Sequence, residues 1–249
     1  QRGHDTFVGK IDSVQNYAFL IVDNRLLNSD IFIPSDKLNG AKNGDKAIVK
    51  IIEWSERVRN PVGEVIDVLG VTGYNDADMH AILVEFGLPY SYPSHIESLA
   101  NDIPDNIPEE EISKRIDCRD IPTFTIDPAD AKDFDDALSI RKIGDDLWEV
   151  GVHIADVTYY VKQGDTIDEE AFKRATSVYL VDRTIPMLPE RLSNQLCSLR
   201  PHEDKCCFSV LFKMDSAANV KEYQIVHTLI NSDRRFTYEE AQTVIETGE

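Results

Sequence analysis

Thr125-Ile126-Asp127-Pro128-Ala129-Asp130-Ala131-Lys132-Asp133-Phe134-Asp135-Asp136-Ala137 places five carboxylates within ten residues. Apolar Phe124-Thr125-Ile126 leads into it and Ala137-Leu138-Ser139-Ile140 leads out. Both flanks read as short strands, so the acids sit on a connection held at two ends by buried backbone. Asp127 closes the first strand, and Asp133, Asp135 and Asp136 follow six, eight and nine residues later. A turn at Asp127-Pro128 folds the loop back, so these four side chains are expected to converge.

Converging carboxylates in a partly buried site cannot all stay ionised, because each raises the pKa of its neighbours until protons or cations neutralise the group. Hard oxygen ligands without Cys or His favour Mg²⁺, with Mn²⁺ as the second choice, over zinc. Such a site suits phosphoryl chemistry, in which two metals ~3.5–4 Å apart stabilise the attacking and leaving oxygens. A solvated acidic loop, or aspartates capping a helix, would account for the composition as well. On the residues alone both readings stand.

The run Asp127-Pro128-Ala129-Asp130-Ala131-Lys132-Asp133-Phe134-Asp135-Asp136-Ala137, preceded by Arg119-Asp120-Ile121-Pro122-Thr123-Phe124-Thr125-Ile126, resembles the signature of the ribonuclease II/ribonuclease R family. Gly151-Val152-His153-Ile154-Ala155-Asp156-Val157 is similar to the family's second block. Ser177-Val178-Tyr179-Leu180, Ile185-Pro186-Met187-Leu188-Pro189-Glu190-Arg191-Leu192-Ser193 and Leu196-Cys197-Ser198-Leu199-Arg200-Pro201 are similar to its third. The bacterial ribonuclease R branch ranks ahead of the ribonuclease II branch. The resemblance implies a processive, Mg²⁺-dependent 3′→5′ exoribonuclease that releases nucleoside 5′-monophosphates from single-stranded RNA. In that scheme Asp127, Asp133, Asp135 and Asp136 are the catalytic and metal-holding residues. Tyr179 matches the position at which the family stacks a ring on a base near the RNA 3′ end; a plain core tyrosine is the alternative. The family varies at Asp130, which is therefore read as a turn residue. Thr158-Tyr159-Tyr160 and Pro128 depart from the commoner family residues without touching an expected ligand.

A net charge of −19 weighs against nucleic acid as a partner. The excess is unevenly spread, however. Residues 1–70 carry 9 basic and 10 acidic side chains, whereas 71–126 carry 3 against 11. Bound divalent cations would cancel part of the charge in the acidic loop. No apolar run approaches the ~18–20 residues that span a bilayer, and no signal-peptide pattern opens the chain, so no membrane role is expected. The four cysteines (Cys118, Cys197, Cys206, Cys207) lack CxxC spacing and read as buried thiols of a cytoplasmic protein.

Phe7–Ile11, Tyr17–Val22, Asp30–Ile33, Lys46–Ile52 and Val62–Leu69 read as five short strands, with an Asn43-Gly44-Asp45 turn before the fourth. They fit an OB-type barrel and resemble the cold-shock-type domain that precedes the catalytic domain in this family. Tyr17, Phe19 and Phe32 are candidates for a base-stacking face that would guide RNA toward the acids; alternatively one or two of them fill the barrel. Helices are expected from Asn75-Asp76, as caps, to about Phe86, from Ser94 to about Asn101, and from Pro108 through three glutamates. The expected fold class is α+β. Residues 1–72 form the barrel, 73–116 a helical connector, and 117–249 the first part of a mixed α+β catalytic domain.

His153, with Asp156 nearby, is read as a buried hydrogen-bonded histidine rather than a general base. Arg183, Arg191 and Arg200 are either phosphate contacts or surface ion pairs. The family's catalytic domain normally runs on past residue 249, so the chain is expected to be a monomeric fragment, inactive or nearly so by itself. The reading from another class is a non-catalytic RNA-binding module, and a third is an unrelated metal-dependent phosphatase. No Ser-His-Asp order, GxSxG or P-loop supports a nucleophilic or NTPase reading.

Overall fold

Alternation of apolar and polar side chains along residues 6–71 produces five strands that close on themselves. They are β1 (Thr6–Val14), β2 (Tyr17–Val22), β3 (Ile31–Pro34), β4 (Asp45–Glu53) and β5 (Val62–Val71), in the barrel order β1-β2-β3-β5-β4. This is a computed structural model, and it describes residues 5–23, 27, 29–54, 59–180 and 183–248. Val181 and Asp182, within the third motif block, lie outside the described residues. Ile11, Ala18, Leu20, Ile31, Ile33, Ala47, Val49 and Val65 fill the barrel. Gly9 allows β1 and β2 to cross closely, since a Cβ there would collide with the Ile21 carbonyl.

The chain divides into two compact units, Gln1–Ser91 and Tyr92–Glu249, and the 73–116 stretch divides with them. In the first unit, α1 (Asn75–Glu85) lies on the outside of the barrel against β1, β4 and β5, burying Ala77, Ala81 and Leu83. Tyr74, not Asn75, holds the position before its first turn and offers no side-chain cap. Asn75 and Asp76 thus stand inside the helix, where Asp76 faces the positive end of the helix dipole.

In the second unit, α2 (Ser94–Asn101) and the single turn α3 (Glu109–Ile112) precede the short β6 (Ile116–Asp117). Next come β7 (Thr123–Asp127), β8 (Asp136–Gly144), β9 (Leu147–Ala155), the turn α4 (Val157–Tyr160) and α5 (Thr166–Arg174). A small ribbon, β10 (Val178–Tyr179) with β11 (Thr184–Ile185), leads to a π-helical turn at Leu192–Leu196. β12 (Asp204–Met214), β13 (Val220–Asn231), β14 (Arg234–Thr237) and α6 (Tyr238–Thr247) complete it. Seven strands form one sheet in the order β14-β7-β8-β9-β12-β13-β6. Its two outermost pairs, β14 with β7 and β13 with β6, are parallel and the rest antiparallel.

Both units mix strands with helices as an α+β chain should. The core of the second unit joins α2, α5, the π-helical turn and one face of the sheet through Ala100, Ala171, Leu192, Leu199, Cys207 and Ile230. All four cysteines are free and buried. Burial pushes the Cys118 and Cys206 thiols up to about 11, which keeps them protonated and unreactive at neutral pH. Among the described residues no helix is long and apolar enough to cross a membrane.

Candidate active site

The acids lie where β7 ends and β8 begins. Asp127 is the last residue of β7, Asp136 the first of β8, and residues 128–135 connect them. That connection has no regular structure of its own, so its shape depends on where its backbone groups are bonded. A turn closes on the Ala131 N–H to Pro128 O bond at 3.1 Å. Arg235, on β14, donates from Nη2 to Pro128 O and sets its guanidinium 5.1 Å from the Phe134 ring centroid. Ser198 Oγ donates to Lys132 O at 2.9 Å and accepts from Phe134 N–H at 3.1 Å. Leu199 N–H donates to Phe134 O at 2.8 Å, and Ala155 N–H to Asp135 O at 2.9 Å. Phe134 is buried in the core, which anchors the loop between two of its acids.

Main-chain groups thus absorb the anchoring, and the carboxylates remain turned to other uses. Asp127, Asp133 and Asp135 line one cavity of about 760 Å³, together with Asp130, Tyr179, Arg183, Glu190 and Asn194. Asp136 is exposed and does not line it, although its charge reaches both Asp127 and Asp135. Asp127 is only 8% exposed, and its Oδ2 is buried without a hydrogen-bond partner. Burial raises the Asp127 carboxyl above the usual range, and the charges of Asp136 and Asp133 add to the rise. Asp135 is raised too, first by lost hydration within the cavity and then by Asp133, Asp136 and Asp127.

An orphaned buried carboxylate oxygen, like charges crowded around it and an all-oxygen donor set fit a hard divalent cation in kind and in charge. The side chains do not yet enclose a point. Among the described residues no three His, Cys, Asp or Glu groups stand together as they would around a metal ion. Enclosing one calls for movement of these side chains; of the four acids expected to converge, Asp127, Asp133 and Asp135 line one cavity and Asp136 does not.

Tyr179 lines the same cavity, beside Asp133. It is 67% exposed and donates from its hydroxyl to Asp133 Oδ2 at 3.1 Å, so it is not a core tyrosine. Of the arginines, Arg183 lines the same cavity. Arg191 is held by Asp105 at 2.8 Å and by Ile103 O at 2.9 Å, which gives it a structural task. Arg200 pairs with Glu203 at 3.3 Å and lines a different cavity.

His153 is fully buried on β9, with Nδ1 2.7 Å from Ser209 Oγ and Nε2 2.8 Å from Ser139 Oγ. Burial holds its pKa down to about 4, so it stays neutral. Asp156 does not touch it; Asp156 bonds Arg115 at 2.8 Å, Thr158 at 2.6 Å and His227 at 3.1 Å. In the first unit, Tyr17, Phe19 and Phe32 lie outside the barrel core and cluster, Phe19 packing T-shaped against both others and Tyr17 tilted against Phe32, with ring centroids 5.6–5.8 Å apart. Register accounts for the cluster: Phe19 pairs Phe32 across β2 and β3, and the residues between them point inward.

Sequence reasoning assigned no task to Ser198 or Arg235, which shape the acid loop. Ser198 sits in the third motif block, but its partners are more than sixty residues away, and no local pattern marks such a contact.

Comparison with known proteins bears on the family and the fold. The RNB domain model matches residues 115–249, and a cold shock domain model matches 19–93. The chain is 38% identical to ribonuclease R of Thermotoga maritima over 248 residues, which is 99% of this chain and 35% of that protein. It is similar in structure to Mycoplasma genitalium RNase R in complex with double-stranded RNA, with a TM-score of 0.88 at 26% identity. That match covers 100% of this chain and 44% of the other. The same enzyme in complex with ribose methylated single-stranded RNA gives 0.87 at 26% identity, covering 100% and 39%. The chain therefore spans about a third of the length of the curated relative it matches. Since the RNB match takes in more than half of the sequence, with the acid loop and the whole seven-stranded sheet inside it, this chain belongs to the RNB domain family.

Proposed function

We propose that the protein is a 3′→5′ exoribonuclease. It hydrolyses single-stranded RNA to nucleoside 5′-monophosphates with Mg²⁺, or Mn²⁺ in its place, and acts in the cytoplasm as a monomer. One observation carries the reading: Asp127, whose buried Oδ2 has no hydrogen-bond partner, lines a cavity shared with Asp133, Asp135 and the exposed Tyr179 ring. The likeness to ribonuclease R supports the polarity and the substrate.

Asp127, Asp133, Asp135 and Asp136 are the residues that would hold the cation. A divalent ion there supplies charge neutralisation at the transferring phosphate and favours attack by water. Tyr179 stacks on a base near the RNA 3′ end, which fixes the terminal phosphodiester relative to the acids. Main-chain anchoring of the loop fixes the backbone from which the carboxylates would close on the cation. Tyr17, Phe19 and Phe32 on the barrel offer a second, sequence-tolerant stacking surface. Residues 1–72 are assigned to RNA binding, 73–116 to connection and 117–249 to catalysis.

A 5′-labelled single-stranded oligonucleotide incubated with Mg²⁺ and the protein at its full length tests this, since residues 1–249 alone should shorten it barely or not at all. Stepwise shortening from the 3′ end, release of 5′-monophosphates and arrest by EDTA are expected. Internal cuts, or shortening that EDTA does not stop, would contradict it. The spread of the acids favours a second reading, a non-catalytic RNA-binding module. That reading expects RNA retention with no shortening.

A further inference from the structure

Ser198 is fully buried, and both hydrogen bonds of its hydroxyl go to the acid loop. One reaches Lys132 O and the other Phe134 N–H, the residues on either side of Asp133. Leu199 N–H adds a third bond, to Phe134 O. The peptide groups before and after Asp133 are therefore fixed to a single side chain supplied by the segment that follows the π-helical turn. Asp133 itself makes no side-chain bond to that segment; its Oδ2 accepts from the Tyr179 hydroxyl.

We infer that Ser198 is a positioning residue for Asp133: its hydroxyl bridges the backbone on both sides of that carboxylate and sets the direction in which it enters the cavity. The inference rests on the metal-holding reading of the acids and adds a residue to it. A buried hydroxyl that merely filled space would need one partner, anywhere in its surroundings. This one instead closes a bridge around a single residue of an otherwise irregular loop. Ser209 provides the contrast within the same unit. It too is fully buried with two side-chain bonds, but they run to His153 and to Thr228 Oγ1 at 2.6 Å, away from the acid loop.

The test is Mn²⁺ binding followed by electron paramagnetic resonance on the whole chain, with thermal melting of each variant alongside. Ser198→Ala is expected to weaken Mn²⁺ binding by about tenfold, the lower end for loss of a residue that orients a ligand. Ser209→Ala is expected to lower the melting temperature comparably while leaving Mn²⁺ affinity unchanged. Ser198→Cys, close in volume and a weaker hydrogen-bonding group, should fall between wild type and Ser198→Ala, and it serves if Ser198→Ala does not fold. Equal Mn²⁺ affinity in wild type and the Ser198 variants would overturn the inference, as would equal losses in Ser198→Ala and Ser209→Ala. Asp135→Asn separates the two levels. If it weakens Mn²⁺ binding while the Ser198 variants do not, only the positioning role falls. If neither it nor they change Mn²⁺ binding, or wild type binds none, the metal reading falls with it.

Discussion

Tyr179 carries two groups that do different work, and they can be separated. Its ring is available to stack on a base, and its hydroxyl bonds Asp133. Partial burial raises the phenol above its usual range, and the Asp133 charge adds to this, so the hydroxyl stays a donor at neutral pH. Tyr179→Phe keeps the ring and should hold RNA within about twofold of wild type. Tyr179→Ala removes the stacking surface and should lose about 1–3 kcal/mol of binding, roughly 5- to 150-fold. It should also change the smallest product on a labelled oligonucleotide. Fluorescence anisotropy on a short 3′-labelled RNA reads the affinity. Equal losses in the two variants would mean that the hydroxyl, not the ring, serves the RNA. That Tyr179 lines the cavity with the acids was legible only through its place in a motif, because a tyrosine in a two-residue strand has no local signature of exposure.

Four neighbouring strands of the sheet share a polar row in an otherwise apolar layer. Ser139 on β8, His153 on β9, Ser209 on β12 and Thr228 on β13 are all buried and bonded in sequence at 2.8, 2.7 and 2.6 Å. Gly151 leaves room for it, since a Cβ there would collide with Ser139 Oγ and the His153 ring. The folded pKa of His153, about 4, lies below its ordinary 6.5. The unfolded chain therefore binds the extra proton between those two values, and stability contributed by neutral His153 is lost as pH falls from about 6.5 to about 4. The loss is on the order of 2–3 kcal/mol. In urea melts, His153→Gln should start less stable at pH 7 and decline less across that window than wild type. Parallel declines would place the pH dependence elsewhere. The two strands that flank the acid loop were legible from their short apolar runs, and His153 reads as a buried, hydrogen-bonded side chain. The row itself was not legible, because it depends on register between strands up to 89 residues apart, Ser139 to Thr228. The parallel edge strands β6 and β14 were also missed: two and four residues are too few to show a period.

At the scale of the whole chain, a net charge of −19 and an RNA-degrading assignment look opposed. Part of that charge lies in the acid loop, where cations would neutralise it, and residues 1–70, which hold nearly all of the barrel, are near neutral. Order along the chain made the barrel legible, because five strands with turn residues between them can close into a barrel without help from distant sequence. The loop's chemistry was legible from its composition, and its shape was not. Spacing says that acids are near one another, whereas Arg235, Ser198, Leu199 and Ala155 decide where each one points. The central claim is that these aspartates do the hydrolytic work and not the holding of RNA. Asp135→Asn tests it most directly, since it keeps the shape of the side chain and removes one charge. The measurement is 5′-monophosphate release from a labelled single-stranded RNA, in the protein with its full length, beside affinity for the same RNA. Turnover should fall by roughly a hundredfold or more, about 2.7 kcal/mol of barrier, with RNA affinity kept within about threefold. Turnover within a few-fold of wild type would contradict the assignment of the acid loop as the catalytic metal site.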